Sequence, residues 1–129
     1  MDAILGALIV QLLLAQAQLE RLAILHAEAA EIHVPLFDRE HPEIAIYFWA
    51  DFYHQSRYEL YHTLKDESQF DPKAVGPYGE RGLCQIYLAV HPYVSIEQAE
   101  DPDWCIPWTA RMWAKGHAHW WVAHWKFEK

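Results

Sequence analysis

One carboxyl group in this sequence stands in a setting that could support acid chemistry. Glu67 lies where an aromatic-rich helical pattern gives way to a polar loop. A carboxyl group that is partly buried among aromatic side chains has its charged form disfavoured, so it can stay protonated near neutral pH and donate a proton to a leaving oxygen. Taken alone, a glutamate at a helix end is more often a solvated surface residue. The surrounding residues must therefore decide between the two interpretations.

Two short strings follow each other around this glutamate. Residues 67–74 read Glu-Ser-Gln-Phe-Asp-Pro-Lys-Ala, and residues 79–86 read Gly-Glu-Arg-Gly-Leu-Cys-Gln-Ile. Together they resemble the catalytic signature of the soluble lytic transglycosylase family, which belongs to the lysozyme-like superfamily alongside goose-type lysozymes. The resemblance extends over roughly residues 61–125, with both motifs in the expected order and at the expected separation. The tryptophan-rich ending is similar to that of short phage-encoded members.

The resemblance implies a mainly α, lysozyme-like fold and an enzyme that cleaves the bond between N-acetylmuramic acid and N-acetylglucosamine in peptidoglycan. Glu67 matches the family's general acid and base. It would protonate the glycosidic oxygen and then remove the proton of the muramic acid C6 hydroxyl, which closes a 1,6-anhydro ring without water. No cofactor is implied. The residues expected to contact the glycan are Ser68, Gln85, Ile86, Tyr87, His91, Trp121 and Trp125.

The sequence also departs from the family pattern. Cys84 stands where the family usually has methionine, a change that keeps an apolar side chain. The later Ala-Tyr-Asn-Ala-Gly motif is absent, and Trp120, Trp121 and Trp125 stand in its place. We expect one of these three indoles near the cleft and the others inside. Helical spacing favours core packing for the earlier tryptophans, which are Trp104, Trp108 and Trp113.

The number of carboxylates decides which reaction is expected. A hydrolase of the common two-carboxylate kind needs a second Asp or Glu a few ångströms from the first. Asp71 is the nearest candidate in sequence, but its place before Pro72 is typical of a turn residue. With one carboxylate, the reaction that the family resemblance implies, lytic transglycosylation, is the expected one. The alternatives are a peptidoglycan hydrolase and a structural virion component that keeps a lysozyme-like domain for assembly.

The charge of the chain and its histidine and cysteine residues limit the classes of ligand and partner that it can bind. A formal net charge of −8 argues against nucleic acid, since phosphate binding needs clustered Lys and Arg. His117, His119 and His124 lack the ligand spacing of a closed zinc site, so no metal is predicted. Cys84 and Cys105 could form one bridge or remain two buried thiols. The expected place of action is a phage virion or the bacterial periplasm and cell envelope.

The N-terminal segment, residues 1–33, is predicted to be a separate hydrophobic helix. Leu5, Leu12 and Leu19 alternate with Leu8, Ala15 and Leu22 at heptad spacing, which favours packing against a second copy or against phage structural proteins. Residues 3–15 could contact a membrane, but this apolar run is short for a span. An intramolecular helix that covers the catalytic domain is the competing interpretation.

The remaining helices and loops are predicted from the positions where Gly or Pro interrupts the helical spacing of apolar residues. Residues 34–41 are predicted to be a linker, and residues 42–129 the catalytic domain. One long helix is expected from Pro42 to about Asp66, because this stretch holds neither Gly nor Pro after its start. The later expected elements are a loop or hairpin over 70–82 and helices over 83–90, 101–115 and 118–125.

Overall fold

The computed structural model describes residues 2–30 and 33–128. The predictions for Met1, residues 31–32 and Lys129 therefore lie outside the described residues, as do those that concern the side chains of residues 24–30. The chain divides into two compact units, Met1–His33 and Val34–Lys129. The structure is 61% helical, and the described residues form no β-strand. The predicted mainly α class is confirmed.

The first unit holds a single helix, α1, which spans Asp2–Ala30. It is continuous over 29 residues, through and beyond the polar residues Gln16 and Gln18. Its leucines at heptad spacing, such as Leu5 and Leu12, are exposed.

The segment predicted to be a linker belongs to the second unit. Phe37 packs against the hydrophobic core of that unit. Its backbone N–H also donates to Asp103 Oδ1 at 2.8 Å. Residues 34–41 are thus attached to the folded unit through a side chain and a hydrogen bond.

The predicted long helix is interrupted, and this prediction was wrong. Helix α2 spans Pro42–Phe52 and helix α3 spans Arg57–Ser68. Between them His54 adopts φ 56°, a left-handed conformation that ends α2. The Ser56 hydroxyl then accepts a hydrogen bond from Glu59 N and begins α3. The Ser-x-x-Glu pattern of a helix start was present in the sequence.

The non-helical segment that follows α3 is longer than predicted. Residues 70–82 form turns as expected, but residues 83–90 are not helical. Arg81 and Ile86 exchange two backbone hydrogen bonds of 3.0 Å, which fold the chain back on itself. Gly82 has φ 78°, and a Cβ at that position would lie 1.8 Å from the Ala99 carbonyl oxygen. The turn therefore depends on glycine at position 82.

The C-terminal half returns to helix. A short helix that the sequence pattern did not predict, α4, spans Ile96–Glu100 and begins with a capping box formed by Ser95 and Gln98. Helix α5 spans Pro102–Ala114, close to the predicted 101–115. The last predicted helix is replaced by two 3-10 helices, which are Ala118–Trp120 and Val122–Phe127.

The core of the second unit lies between α2, α3 and α5. Its fully buried side chains include Ile46 on α2, Leu60 and Leu64 on α3 and Ile106 on α5. The indoles of Trp108 and Trp113 are buried as predicted, whereas Trp104 is half-buried and packs against the core.

A disulfide joins Cys84 in the loop to Cys105 on α5, with a Cα–Cα distance of 6.0 Å. This settles the choice that the sequence left open between a bridge and two thiols. The bridge spans 21 residues and fixes the loop that follows α3 against α5. The disulfide is expected to stabilise the fold mainly because it restricts the conformations of the unfolded chain.

Reduction of this disulfide is expected to lower the free energy of unfolding by about 3 kcal/mol, the value of the chain-entropy model for a loop of similar length. Urea denaturation with and without dithiothreitol measures the change. A double variant, Cys84→Ala with Cys105→Ala, is the control and should not respond to dithiothreitol. Equal stability of the oxidised and reduced wild-type chains would contradict this prediction.

Candidate active site

Glu67 lies in the last turn of α3, where the helix meets the loop. The neighbouring Ser68 fixes this junction. Its hydroxyl oxygen lies 2.6 Å from the Leu83 carbonyl oxygen and 3.2 Å from the Leu64 carbonyl oxygen. A hydroxyl has one proton to donate, and the shorter contact makes Leu83 its acceptor. Ser68 thus ties the helix end to the loop and does not line the cleft.

The Glu67 carboxyl group is partly buried, and burial raises its pKa. Ala123 N donates to Glu67 Oε1 at 3.2 Å, which favours the ionised form and opposes that shift. The negative charges of Glu80 and Asp66 raise the pKa further, so the net direction is upward. Glu67 therefore holds its proton to higher pH than an ordinary glutamate, as a general acid requires.

The second 3-10 helix is held over α3 and carries the Ala123 amide to Glu67. Lys126 forms an ion pair with Asp66 of α3. His124 Nε2 lies 3.4 Å from Glu59 Oε2, also on α3. These contacts fix the donor over the catalytic candidate.

Three chain segments enclose a cleft of about 410 Å³ beside Glu67. They are the end of α3, the loop from Pro77 to Tyr87 and the turn that joins the two 3-10 helices. The volume lies in the range of roughly 300–1,000 Å³ that is typical of small-molecule sites. The lining residues are Glu67, Pro77, Tyr78, Glu80, Gln85, Tyr87, Trp120, Trp121 and Val122.

The loop wall of the cleft is built around a glycine. A Cβ added at Gly76 would lie 1.8 Å from Glu80 Oε2 and 2.6 Å from Gln85 Oε1. The two polar side chains therefore meet over the bare backbone of Gly76. Gln85 is fixed further because its Nε2 donates to Gly82 O at 2.9 Å and to Ala74 O at 3.2 Å. The amide oxygen of Gln85 and the carboxylate of Glu80 lie side by side.

Trp121 links the cleft to the disulfide. Its indole is buried, and Nε1 donates to the Cys84 carbonyl oxygen at 2.9 Å. The tryptophan thus positions the residue that immediately precedes Gln85. The predicted site residue Trp121 lines the cleft and also supports its wall.

The structure brings together only part of the predicted site. Of the predicted residues, Glu67, Gln85, Tyr87 and Trp121 line the cleft. Ile86 is 2% exposed and belongs to the core. Trp125 is 53% exposed, and its Nε1 donates to His119 O at 2.8 Å. Both lie away from the cleft because neighbouring side chains in the Arg81–Ile86 turn and in the 3-10 helix point in different directions.

A second hollow of about 460 Å³ adjoins the cleft. It is lined by Tyr87, Val90, His91 and Trp120, and it shares Tyr87 and Trp120 with the cleft. Partial burial lowers the pKa of His91 and so favours the neutral imidazole. The His117 ring stacks on Trp120 with centroids 4.1 Å apart and holds that indole in place. The predicted residue His91 therefore lies beside the cleft and not inside it.

Sequence reasoning missed Glu80 as a cleft residue. It also expected only one of Trp120, Trp121 and Trp125 near the cleft and the others inside, whereas Trp120 and Trp121 both line the cleft and Trp125 is exposed. Glu80 lies within the quoted second motif, but its approach to Glu67 depends on the turn that ends at Gly82. Asp71, the sequence candidate for a second carboxylate, is a turn residue as predicted, because Asp71 Oδ1 accepts from Lys73 N at 2.9 Å. Among the residues whose side chains the structure describes, 2–23 and 33–128, no group of three or more His, Cys, Asp or Glu side chains is placed to hold a metal ion.

Comparison of the chain with protein-family models, with curated proteins and with solved structures finds no match.

Proposed function

We propose that this protein is a peptidoglycan lytic transglycosylase with a lysozyme-like catalytic unit and that Glu67 is its general acid and base. One observation carries the proposal: Glu67 is a partly buried carboxyl group with a raised pKa on the wall of an open cleft. The two sequence motifs that resemble the family's signature supply Glu67 and Gln85 to this same cleft.

The reaction follows from the proton that Glu67 holds. In its acid form Glu67 donates this proton to the glycosidic oxygen as the bond from that oxygen to muramic acid C1 breaks. The Glu67 carboxylate then takes the proton of the C6 hydroxyl while the C6 oxygen bonds to C1. Glu67 returns to its acid form, and the product is a 1,6-anhydro sugar. Ala123 N–H stabilises the carboxylate between the two proton transfers.

Aromatic side chains give the cleft a surface suited to sugar rings. Tyr87 and Trp120 are 41% and 44% exposed and stand at the boundary between the cleft and the second hollow. Aromatic faces offer apolar contact area for such flat ligands. A glycan strand that passes over both hollows would contact each of these rings.

Glu80 favours a second candidate function, hydrolysis. It places a second carboxylate in the cleft that contains Glu67, which the sequence interpretation did not anticipate. In a hydrolase of the two-carboxylate kind, such a group either activates water or attacks the sugar. We rank this function second because the resemblance that assigns the site belongs to enzymes that work with one carboxylate.

The disulfide supports a place of action outside the reducing cytosol, such as the bacterial envelope or a phage particle that acts on it. Disulfides persist in oxidising compartments and are rare in the cytosol. The Cys84–Cys105 bridge also lies next to Gln85 and fixes the cleft wall.

Mass spectrometry of purified murein after digestion tests the proposed reaction. The expected products carry 1,6-anhydromuramic acid and no added water. Reducing muramic acid ends would identify the hydrolase, whose products are heavier by one water per cleavage. Intact murein would support the structural virion component instead.

A further inference from the structure

Apart from Gln11, residues 3–15 of helix α1 carry apolar side chains on every side of the helix. Successive residues in an α-helix are about 100° apart around the axis. Leu12, Leu13 and Leu14 follow one another and are 61–70% exposed, so three large side chains already cover more than half of the circumference. Ile9 and Val10, also exposed, extend the cover in the preceding turn. A water-facing polar stripe is absent from these turns.

A heptad seam alone does not explain why apolar side chains surround the helix. A partner helix would cover the side that carries Leu8 and Leu12. Val10 and Leu13 point to the opposite side and would stay in water. A lipid environment covers both sides at once, because hydrocarbon surrounds an inserted helix completely.

The apolar part of α1 has the length of a bilayer. The segment Asp2–Ala23 has 22 residues, and an 18-residue stretch within it has a mean hydropathy of 1.6. At 1.5 Å per residue it measures about 33 Å, against about 30 Å for the hydrocarbon core of a bilayer. The apolar run predicted from sequence ends at Ala15, whereas the helix continues without a break.

The charges stand at the two ends of this segment. Residues 3–19 contain no Asp, Glu, Lys or Arg, and Gln11 is the only polar side chain between residues 3 and 15. Asp2 lies at one end, and Glu20 and Arg21 lie at the other. This arrangement places the charged groups in the headgroup layers, where long side chains such as Arg21 can reach water.

From these observations we propose that residues 2–23 of α1 insert into a phospholipid bilayer as one transmembrane helix and anchor the chain to a membrane. The occupant of the apolar surface is lipid on all sides. The proposal rests on α1 alone and is independent of the reaction assigned to Glu67.

The first test is flotation of the full chain with vesicles of phosphatidylethanolamine and phosphatidylglycerol. We expect the chain to float with the vesicles and to stay with them after an alkaline carbonate wash, which removes peripheral proteins. The intact mass should show that α1 is retained. Release by carbonate would overturn the proposal. A chain shortened at Ala15-Gln16-Ala17, whose small residues resemble a signal-peptide cleavage site, would also overturn it, because α1 would then be removed.

Two matched double variants separate lipid from a partner helix. Leu8→Asp with Leu12→Asp changes the seam side, and Val10→Asp with Leu13→Asp changes the opposite side at similar depth. A bilayer penalises both pairs, and each Asp should lower insertion on the order of 100-fold. We therefore expect both variants to lose flotation. If only the seam pair has an effect, or if the two pairs lose self-association and not flotation, the helix binds a protein partner and the proposal is wrong.

Discussion

Glu67→Gln is expected to lower murein cleavage by roughly 10²- to 10⁴-fold, the usual contribution of a positioned general acid. The amide keeps the shape of the carboxyl group and removes the proton that the leaving oxygen needs. Release of soluble muropeptides measures the rate. Glu97→Gln, a change at an exposed carboxyl group on α4, is the matched control and should leave cleavage unchanged.

The same variant should not be less stable than the wild type. Burial raises the pKa of Glu67 in the folded chain above its unfolded value, so the folded state binds this proton more tightly. The contribution of Glu67 to the free energy of unfolding is therefore fully present below its unfolded-state pKa. It is lost as pH rises through the raised pKa of the folded state. At neutral pH, the Glu67→Gln change would remove the cost of holding a carboxylate charge in a partly buried site. The free energy of unfolding should therefore stay equal or rise. Activity within a few-fold of wild type in a folded variant would remove Glu67 from the mechanism.

Glu80→Gln is expected to change the pH dependence of cleavage. The negative charge of Glu80 raises the pKa of Glu67, so its removal lowers that pKa. Cleavage needs protonated Glu67 and falls as pH rises through this value. The alkaline limb of the pH–rate profile should therefore move to lower pH, with a several-fold loss of rate at neutral pH. The anhydro product should remain.

The product formed by the wild-type chain and the size of the loss distinguish the two roles of Glu80. A loss on the order of 100-fold or more at every pH, in an enzyme whose wild type releases reducing ends, would make Glu80 the second carboxylate of a hydrolase. An unshifted pH profile with unchanged rate would remove Glu80 from the site altogether. Rates should be followed from acid to alkaline pH with the same murein preparation.

Local chemistry made some elements predictable. Asp101 and Pro102 mark the start of α5, and Gly116, with φ 90°, follows its end. These signals act within one turn of the helix and need no information from elsewhere in the chain. The end of α3 beside Glu67 was predictable for the same reason. The break before α3 was also encoded, by Ser56 and Glu59, but an unbroken apolar pattern hid it.

Tertiary contacts decided what the sequence did not reveal. Residues 83–90 have helical spacing, yet Gly82 packs against the Ala99 carbonyl and the chain turns back. That turn brings Glu80 to the cleft and buries Ile86. The resemblance could identify Glu67 and Gln85 because both occupy positions within the two motifs to which the family assigns a role. It could not identify Glu80, whose position depends on how the loop closes.

The position of two tryptophans gives the chain an internal optical reporter. Trp120 and Trp121 border the cleft, and Trp120 is 44% exposed to water before any ligand arrives. Indole emission depends on the polarity around the ring, so a glycan that covers Trp120 changes the fluorescence spectrum of the unlabelled protein. In the Glu67→Gln variant, which is expected to bind without cutting, this signal would report occupancy of the cleft separately from chemistry.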